Sequence, residues 1–167
     1  MPEASAPPES ADWNTADAEY LQMMVAHHSQ ALDMAELVPD RATDPRVRRL
    51  AESIDAGQGR EVITMATWLV DHGQPEPTRE SVADMTGMGM AGMLTPEQVD
   101  ELEAADGATF DRLFLEGMIQ HHQGAVRMAE QLLGEGEDVV VGDMATETIA
   151  GQNAEIRRMR DLLGELT

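Results

Sequence analysis

Two stretches decide the reading of this chain: Met24-Val-Ala-His27-His28-Ser-Gln-Ala31-Leu-Asp-Met34-Ala35 and, 94 residues later, Met118-Ile-Gln-His121-His122-Gln-Gly-Ala125-Val-Arg-Met128-Ala129. Extending outward without a gap, residues 20–69 and 114–163 match at seventeen of fifty positions. Unrelated sequences would match at roughly three, so the chain uses one unit twice, and such repetition dictates architecture. At about 100° per residue, Tyr20, Met24, His27, Ala31, Met34, Ala35 and Val38 fall on one helical stripe. Phe114, Met118, His121, Ala125, Met128, Ala129 and Leu132 repeat it, with His28 and His122 at the edges.

Start and stop signals divide the rest. Asn14 or Thr15 opens a helix expected to reach about Val38, where Pro39-Asp40 ends it; Asp44-Pro45 opens a second, running to about His72 before Gly73. Thr95-Pro96-Glu97-Gln98 is a capping box for a short acidic helix that ends near Asp106-Gly107. Two further helices are expected over about 108–133, stopped by Gly134 and Gly136, and from Asp138 to Leu166. No strand alternation stands out. The fold expected is all-α, a four-helix bundle of two repeated hairpins. Residues 1–13 read as a disordered Pro/Ala/Ser/Glu lead and 14–167 as a single domain, with repeats at 14–73 and 108–167 and a Met-bearing linker over 74–107.

Composition removes several classes of function. The 167 residues carry 32 acidic against 11 basic side chains, a formal charge of −21, which repels phosphate backbones and anionic lipid. No run of about 18 apolar residues exists to span a membrane. Cysteine is absent, which excludes disulfides, thiolate metal sites and cysteine nucleophiles. Aromatic residues are only 3%, so the core must be aliphatic and methionine-rich.

The remaining chemistry lies in histidine, methionine and two glutamates. Met24, His27 and His28, with Met118, His121 and His122, are spaced as neighbours on one helical face. Thioether and imidazole suit Cu(I), and imidazole with carboxylate suits Cu(II). Gln58, Glu61 and Met65, repeated as Gln152, Glu155 and Met159, share an inward stripe, where they read equally as completing each half-site or orienting its imidazoles and as a buried polar network that sets the bundle's register. Glu61 and Glu155 fall mid-stripe among apolar residues, where an unpartnered carboxylate would be costly. The same pattern would serve core histidines bonded to these glutamates with Met as filler; its doubling favours a metal. Met34 and Met128 read as core, with an accessory ligand role as the alternative. Met85, Met88, Met90 and Met93, in a Gly-rich linker with no core to fill, read equally as a soft-metal capture segment or as a loop docked on the bundle. His72, ahead of Gly73, complements a helix C-terminus. Di-iron bundles place Glu-x-x-His on their helices, and here Met24-x-x-His27 and Met118-x-x-His121 substitute sulfur for that oxygen.

These residues resemble the domain-of-unknown-function-305 family, which carries HH-x-x-A-x-x-MA twice. Gln58–Met65 and Gln152–Met159 match its Gln-x-x-Glu-[Ile/Val]-x-x-Met, and Gly107-Ala-Thr-Phe110-Asp111 matches the lead into its second motif. The resemblance spans about residues 14–164. It implies a ferritin-like four-helix bundle, usually exported or lipid-anchored, with one branch binding copper in the periplasm. The expectation is therefore an extracytoplasmic copper-binding protein that buffers or chaperones the ion without catalytic turnover, its ligands drawn from Met24, His27, His28, Met118, His121 and His122 with Glu61, Glu155, Met65 and Met159. A ferritin-like metal-dependent oxidase and a metal-free interaction domain are the alternatives.

Overall fold

The computed structural model describes residues 5–87 and 89–166. Among them lie helices α1 (Thr15–Glu36), α2 (Val38–Arg41), α3 (Pro45–Asp71), α4 (Arg79–Gly87), α5 (Pro96–Ala104), α6 (Gly107–Glu135) and α7 (Val139–Leu166), and no strand. Capping residues set several of the starts. Asn14 and Asp17 exchange side-chain and backbone bonds across the first turn of α1, Asp44 caps the Pro45-led α3, and Thr95 with Gln98 forms a reciprocal box on α5.

The ends differ from the sequence expectation for local reasons. α1 stops at Glu36 rather than Val38, because the Leu37 amide turns back to the Met34 carbonyl and Val38, followed by Pro39, which has no N–H, starts the separate turn α2. α6 runs through Gly134 to Glu135, so that glycine weakens the helix without ending it, and Gly136 is the cap. Within the linker stands α4, a helix the sequence reading did not separate. Its start uses Thr78 and Ser81, whose hydroxyls accept from each other's backbone N–H at 3.2 and 2.7 Å. Serine in the place of the usual Glu or Gln hides that box from a pattern search.

The four long helices share two apolar clusters. One joins the C-terminal half of α1, the N-terminal halves of α3 and α6 and the C-terminal half of α7, around Met34, Ile54, Phe114, Met118 and Met159. The other joins the opposite halves, around Leu21, Met24, Met65, Trp68 and Val141. Each hairpin is therefore antiparallel, and the two hairpins lie head to tail about a pseudo-twofold axis. Between the clusters runs a polar layer of His27, His28, Gln58, His121, His122 and Gln152, all buried.

A pair of buried carboxylates interlocks the hairpins. Asp111, at the start of α6, accepts the Thr43 N–H at 3.1 Å and the Asp44 N–H at 2.9 Å. Asp17, at the start of α1, accepts the Glu137 and Asp138 amides at 3.1 and 3.0 Å. Asp17 and Asp111 are 94 positions apart, as are Thr43 and Glu137, and Asp44 and Asp138. Each hairpin thus holds the turn of the other.

The symmetry is broken by residues 89–94, a strap laid across α1 and α6. Gln30 grips it from one side, donating to the Leu94 carbonyl at 3.2 Å and accepting the Leu94 N–H at 2.8 Å. Gln120 donates to the Met93 carbonyl at 3.3 Å. The position equivalent to Gln30 in the second repeat is Gly124, and a Cβ there would stand 1.9 Å from the Ala91 carbonyl oxygen. Gly92 lies at φ +77°, where a Cβ would stand 2.5 Å from the Gln120 carbonyl oxygen. Only glycine fits either side of this contact. Gly124→Ala is expected to expel the strap and to cost about 1–3 kcal/mol, as overpacking does. Urea denaturation checks it: an unchanged midpoint would mean that the strap is not seated on α6.

Candidate metal centre

The twin His-His pairs lie one turn beyond Met24 on α1 and beyond Met118 on α6, at the level where the hairpins cross. All four imidazoles are fully buried, and the His27 and His121 rings pack face against face with centroids 3.8 Å apart and planes inclined by 36°. His28, which the wheel puts at the stripe's edge, is as buried as His27 because α3 covers that edge.

Every ring uses Nε2 to reach an oxygen. His28 Nε2 lies 2.5 Å from Glu61 Oε2, and His122 Nε2 lies 2.6 Å from Glu155 Oε2, the same contact in each repeat. His121 Nε2 donates to the His27 carbonyl at 2.7 Å, and His27 Nε2 donates to the strap carbonyl of Ala91 at 2.8 Å. A carbonyl oxygen only accepts, which assigns the proton of His27 and His121 to Nε2. Nδ1 of His27 and His121 is then a lone pair, and Nδ1 of all four rings is buried with no hydrogen-bond partner among the described residues. The side-chain amides of Gln58 and Gln152, in the same layer, are likewise buried without a partner.

Burial decides the protonation of the inner pair. Desolvation pushes His27 down to about 3, against a smaller opposing pull from the Ala91 carbonyl, and His28 and His122 lower it further. His121 is held well below the usual histidine range, first by burial and then by the neighbouring His27 and His122 rings. Both are neutral at ordinary pH, the form in which imidazole binds a metal.

The carboxylates lie elsewhere than expected. Glu61 and Glu155 are not immersed among apolar side chains: their side chains are 38% and 18% exposed, at the rim of the layer, each reaching inward to its histidine. The helical wheel places a Cβ, whereas a glutamate is long enough to leave one oxygen in water.

The thioethers divide by repeat. Met24 and Met65 lie buried in the cluster on one side of the layer, Met118 and Met159 in the cluster on the other. Met34 is core and stands close to Gly117, whereas its counterpart Met128 is part-buried. Met85 and Met90 are buried rather than free in a loop, packed on Ala26 with Met93 and Met128 against them. Met88 lies outside the described residues. His72 donates from Nδ1 to the Trp68 carbonyl at 2.7 Å and stacks on the Trp68 ring at 3.8 Å, away from the layer. Among the described residues no three His, Asp or Glu side chains are grouped to hold a metal.

The residues invisible to the motif search are Ala91, which acts through its carbonyl, and Gln30, which holds the strap. The replacement of Gln30 by Gly124 across the repeat is the signal that could have revealed them.

The fold and layer define an all-helical tandem-hairpin protein with buried imidazoles and flanking thioethers. The chain belongs to the family Domain of unknown function (DUF305), whose pattern matches residues 17–163. A DUF305 protein of Streptomyces coelicolor, provisionally named as secreted, is similar in structure with a TM-score of 0.81 and 35% identity, over 94% of this chain and 96% of that one. CopM in its Cu(I)-bound form is similar with a TM-score of 0.73 and 32% identity, over 89% of this chain and 96% of CopM. CopM has also been solved with Cu(II), with silver and in an apo form. A 53-residue stretch is 39% identical to the uncharacterized protein L153 of Acanthamoeba polyphaga mimivirus, covering 32% of this chain and 35% of the length of that curated relative. No helix among the described residues is long and apolar enough to cross a membrane.

Proposed function

We propose that this chain binds copper in the layer where its hairpins cross, and that it holds the ion outside the cytoplasm as a buffer or chaperone rather than turning over a substrate. The observation that carries the reading is that Nδ1 of all four rings is buried without a hydrogen-bond partner among the described residues, while Nε2 of each is committed to an oxygen. A metal-ligating histidine characteristically donates its other ring N–H to a carboxylate or backbone carbonyl, which fixes its tautomer and orientation. Glu61 and Glu155 do this for His28 and His122; the Ala91 and His27 carbonyls do it for His27 and His121. In this assignment the glutamates orient ligands instead of binding the ion. Met24, Met65, Met118 and Met159 supply the soft donors above and below, and imidazole with thioether suits Cu(I). The likeness to CopM supports copper, and the name of the Streptomyces coelicolor relative supports an extracytoplasmic location.

Anaerobic Cu(I) titration against a chromophoric chelator tests the proposal. His28→Ala/His122→Ala should weaken binding by at least the roughly 10–100-fold loss typical of outer-shell changes, and Glu61→Gln/Glu155→Gln by an amount within that range. Copper at about 100 times its Kd should stabilise the wild type by about 2.7 kcal/mol. Equal affinity in all three proteins, or a melting temperature indifferent to copper, would remove the assignment.

A further inference from the structure

We propose that Met85, Met90, Met93 and Met128 form a second site, built from thioethers alone, for a soft monovalent cation of the Cu(I) or Ag(I) type. It shares with the proposed function the premise that the chain takes such a cation, but it uses other residues. Ala26, Met85 and Met90, with Val82, Met93 and Met128 packed on them, make a cluster distinct from the two bundle cores. Four of its six side chains are methionine, in a chain with 13 methionines among 167 residues. The four come from α4, the strap and α6, so three separate elements contribute methionines to one cluster. Thioether is the donor chemistry these four side chains bring, suited to a soft ion and indifferent to pH.

Comparison of the repeats gives the second observation. Met34 is spent on the core beside Gly117, whereas its counterpart Met128 packs both on the bundle and on the strap cluster. The change coincides with the exchange of Gln30 for Gly124, which lets the strap descend onto α6. Gln30 and Gln120 fix the strap backbone at Met93 and Leu94, so Met90 and Met93 are held in place before any ion arrives. Ala91, between those two methionines, accepts from His27, which puts the sulfur cluster next to the imidazole layer and suits it to receive an ion bound for that layer.

Methionine also packs well, and the test must separate the two roles. Leucine conserves volume and apolarity and removes only the sulfur. The quadruple Met→Leu variant at 85, 90, 93 and 128, the wild type and His28→Ala/His122→Ala are each titrated with Cu(I) against a chromophoric chelator, and the bound ion is examined by X-ray absorption. The quadruple variant should hold one equivalent fewer than wild type and lose a sulfur-only coordination shell, while the histidine variant keeps that shell. If the quadruple variant does not fold by circular dichroism, Met93→Leu/Met128→Leu changes only the part-buried pair and should weaken the sulfur-only ion by tenfold or more. An unchanged number of equivalents in the folded leucine variant, or an unchanged affinity in the double variant, overturns the site and leaves the cluster as packing. A histidine variant that binds like wild type sinks the imidazole assignment instead.

Discussion

Asp111→Ala should lower the stability of the metal-free protein by about 3–5 kcal/mol, and Asp17→Ala by a similar amount. Each carboxylate is buried and serves backbone amides from the opposite hairpin: Thr43 and Asp44 for Asp111, Glu137 and Asp138 for Asp17. Hydrogen bonds to an ionised acceptor are worth about 1.5–3 kcal/mol each, and truncation also leaves the donors unpaired. Against a typical total of about 5–15 kcal/mol, one such loss is severe and the double variant should not fold. Asn at either position keeps an acceptor oxygen and should cost less than Ala. Urea denaturation reads the difference. A midpoint shift for Asp111→Ala worth under about 0.5 kcal/mol would place it with ordinary surface substitutions and refute the clasp.

The metal-free protein should also lose stability steeply in mild acid. His27 titrates near 3 when folded and near 6.5 when unfolded, and His121 is lowered in the same direction. The unfolded chain therefore binds more protons than the folded one at any pH between the two values. The contribution of each ring is fully present above about pH 6.5 and is lost as pH falls below it, down to about pH 3 for His27. Each such group contributes a slope of about 1.4 kcal/mol per pH unit, so the two rings together give roughly 2.7. Denaturation midpoints from pH 7 to 4 measure it. His27→Asn/His121→Asn should flatten the profile, and a wild-type profile already flat over that range would show that the inner rings are not held neutral by burial.

Much of this was legible in the sequence because the repeat made it so. One His-His pair on a helix is ambiguous; two at one offset fix two hairpins and bring His27 to His121 across their crossing. Capping chemistry gave the starts of α1, α3 and α5, where a side chain competes locally for orphan amides. What escaped was non-local. Nothing near Asp17 or Asp111 in the chain tells that their partners sit in the opposite hairpin, and the equivalence shows only when the alignment is carried three residues beyond Tyr20. Ala91 contributes a backbone atom, which no side-chain motif reports. The depth of Glu61 departs from its place on the wheel for a third reason, that a wheel fixes direction but not how far a flexible carboxylate extends toward water.

The reciprocal clasps also govern how the chain assembles and comes apart. They join residues 67–68 and 120–121 positions apart, whereas each antiparallel hairpin is built from neighbours in sequence. The hairpins can zip early, and the slow event is their meeting, when a long closure must be accepted before its bonds reward it. Once closed, neither half can peel away without stripping an acceptor from the other. Unfolding is thereby a single concerted rupture, and the imidazole layer at the crossing exists only while both halves are present.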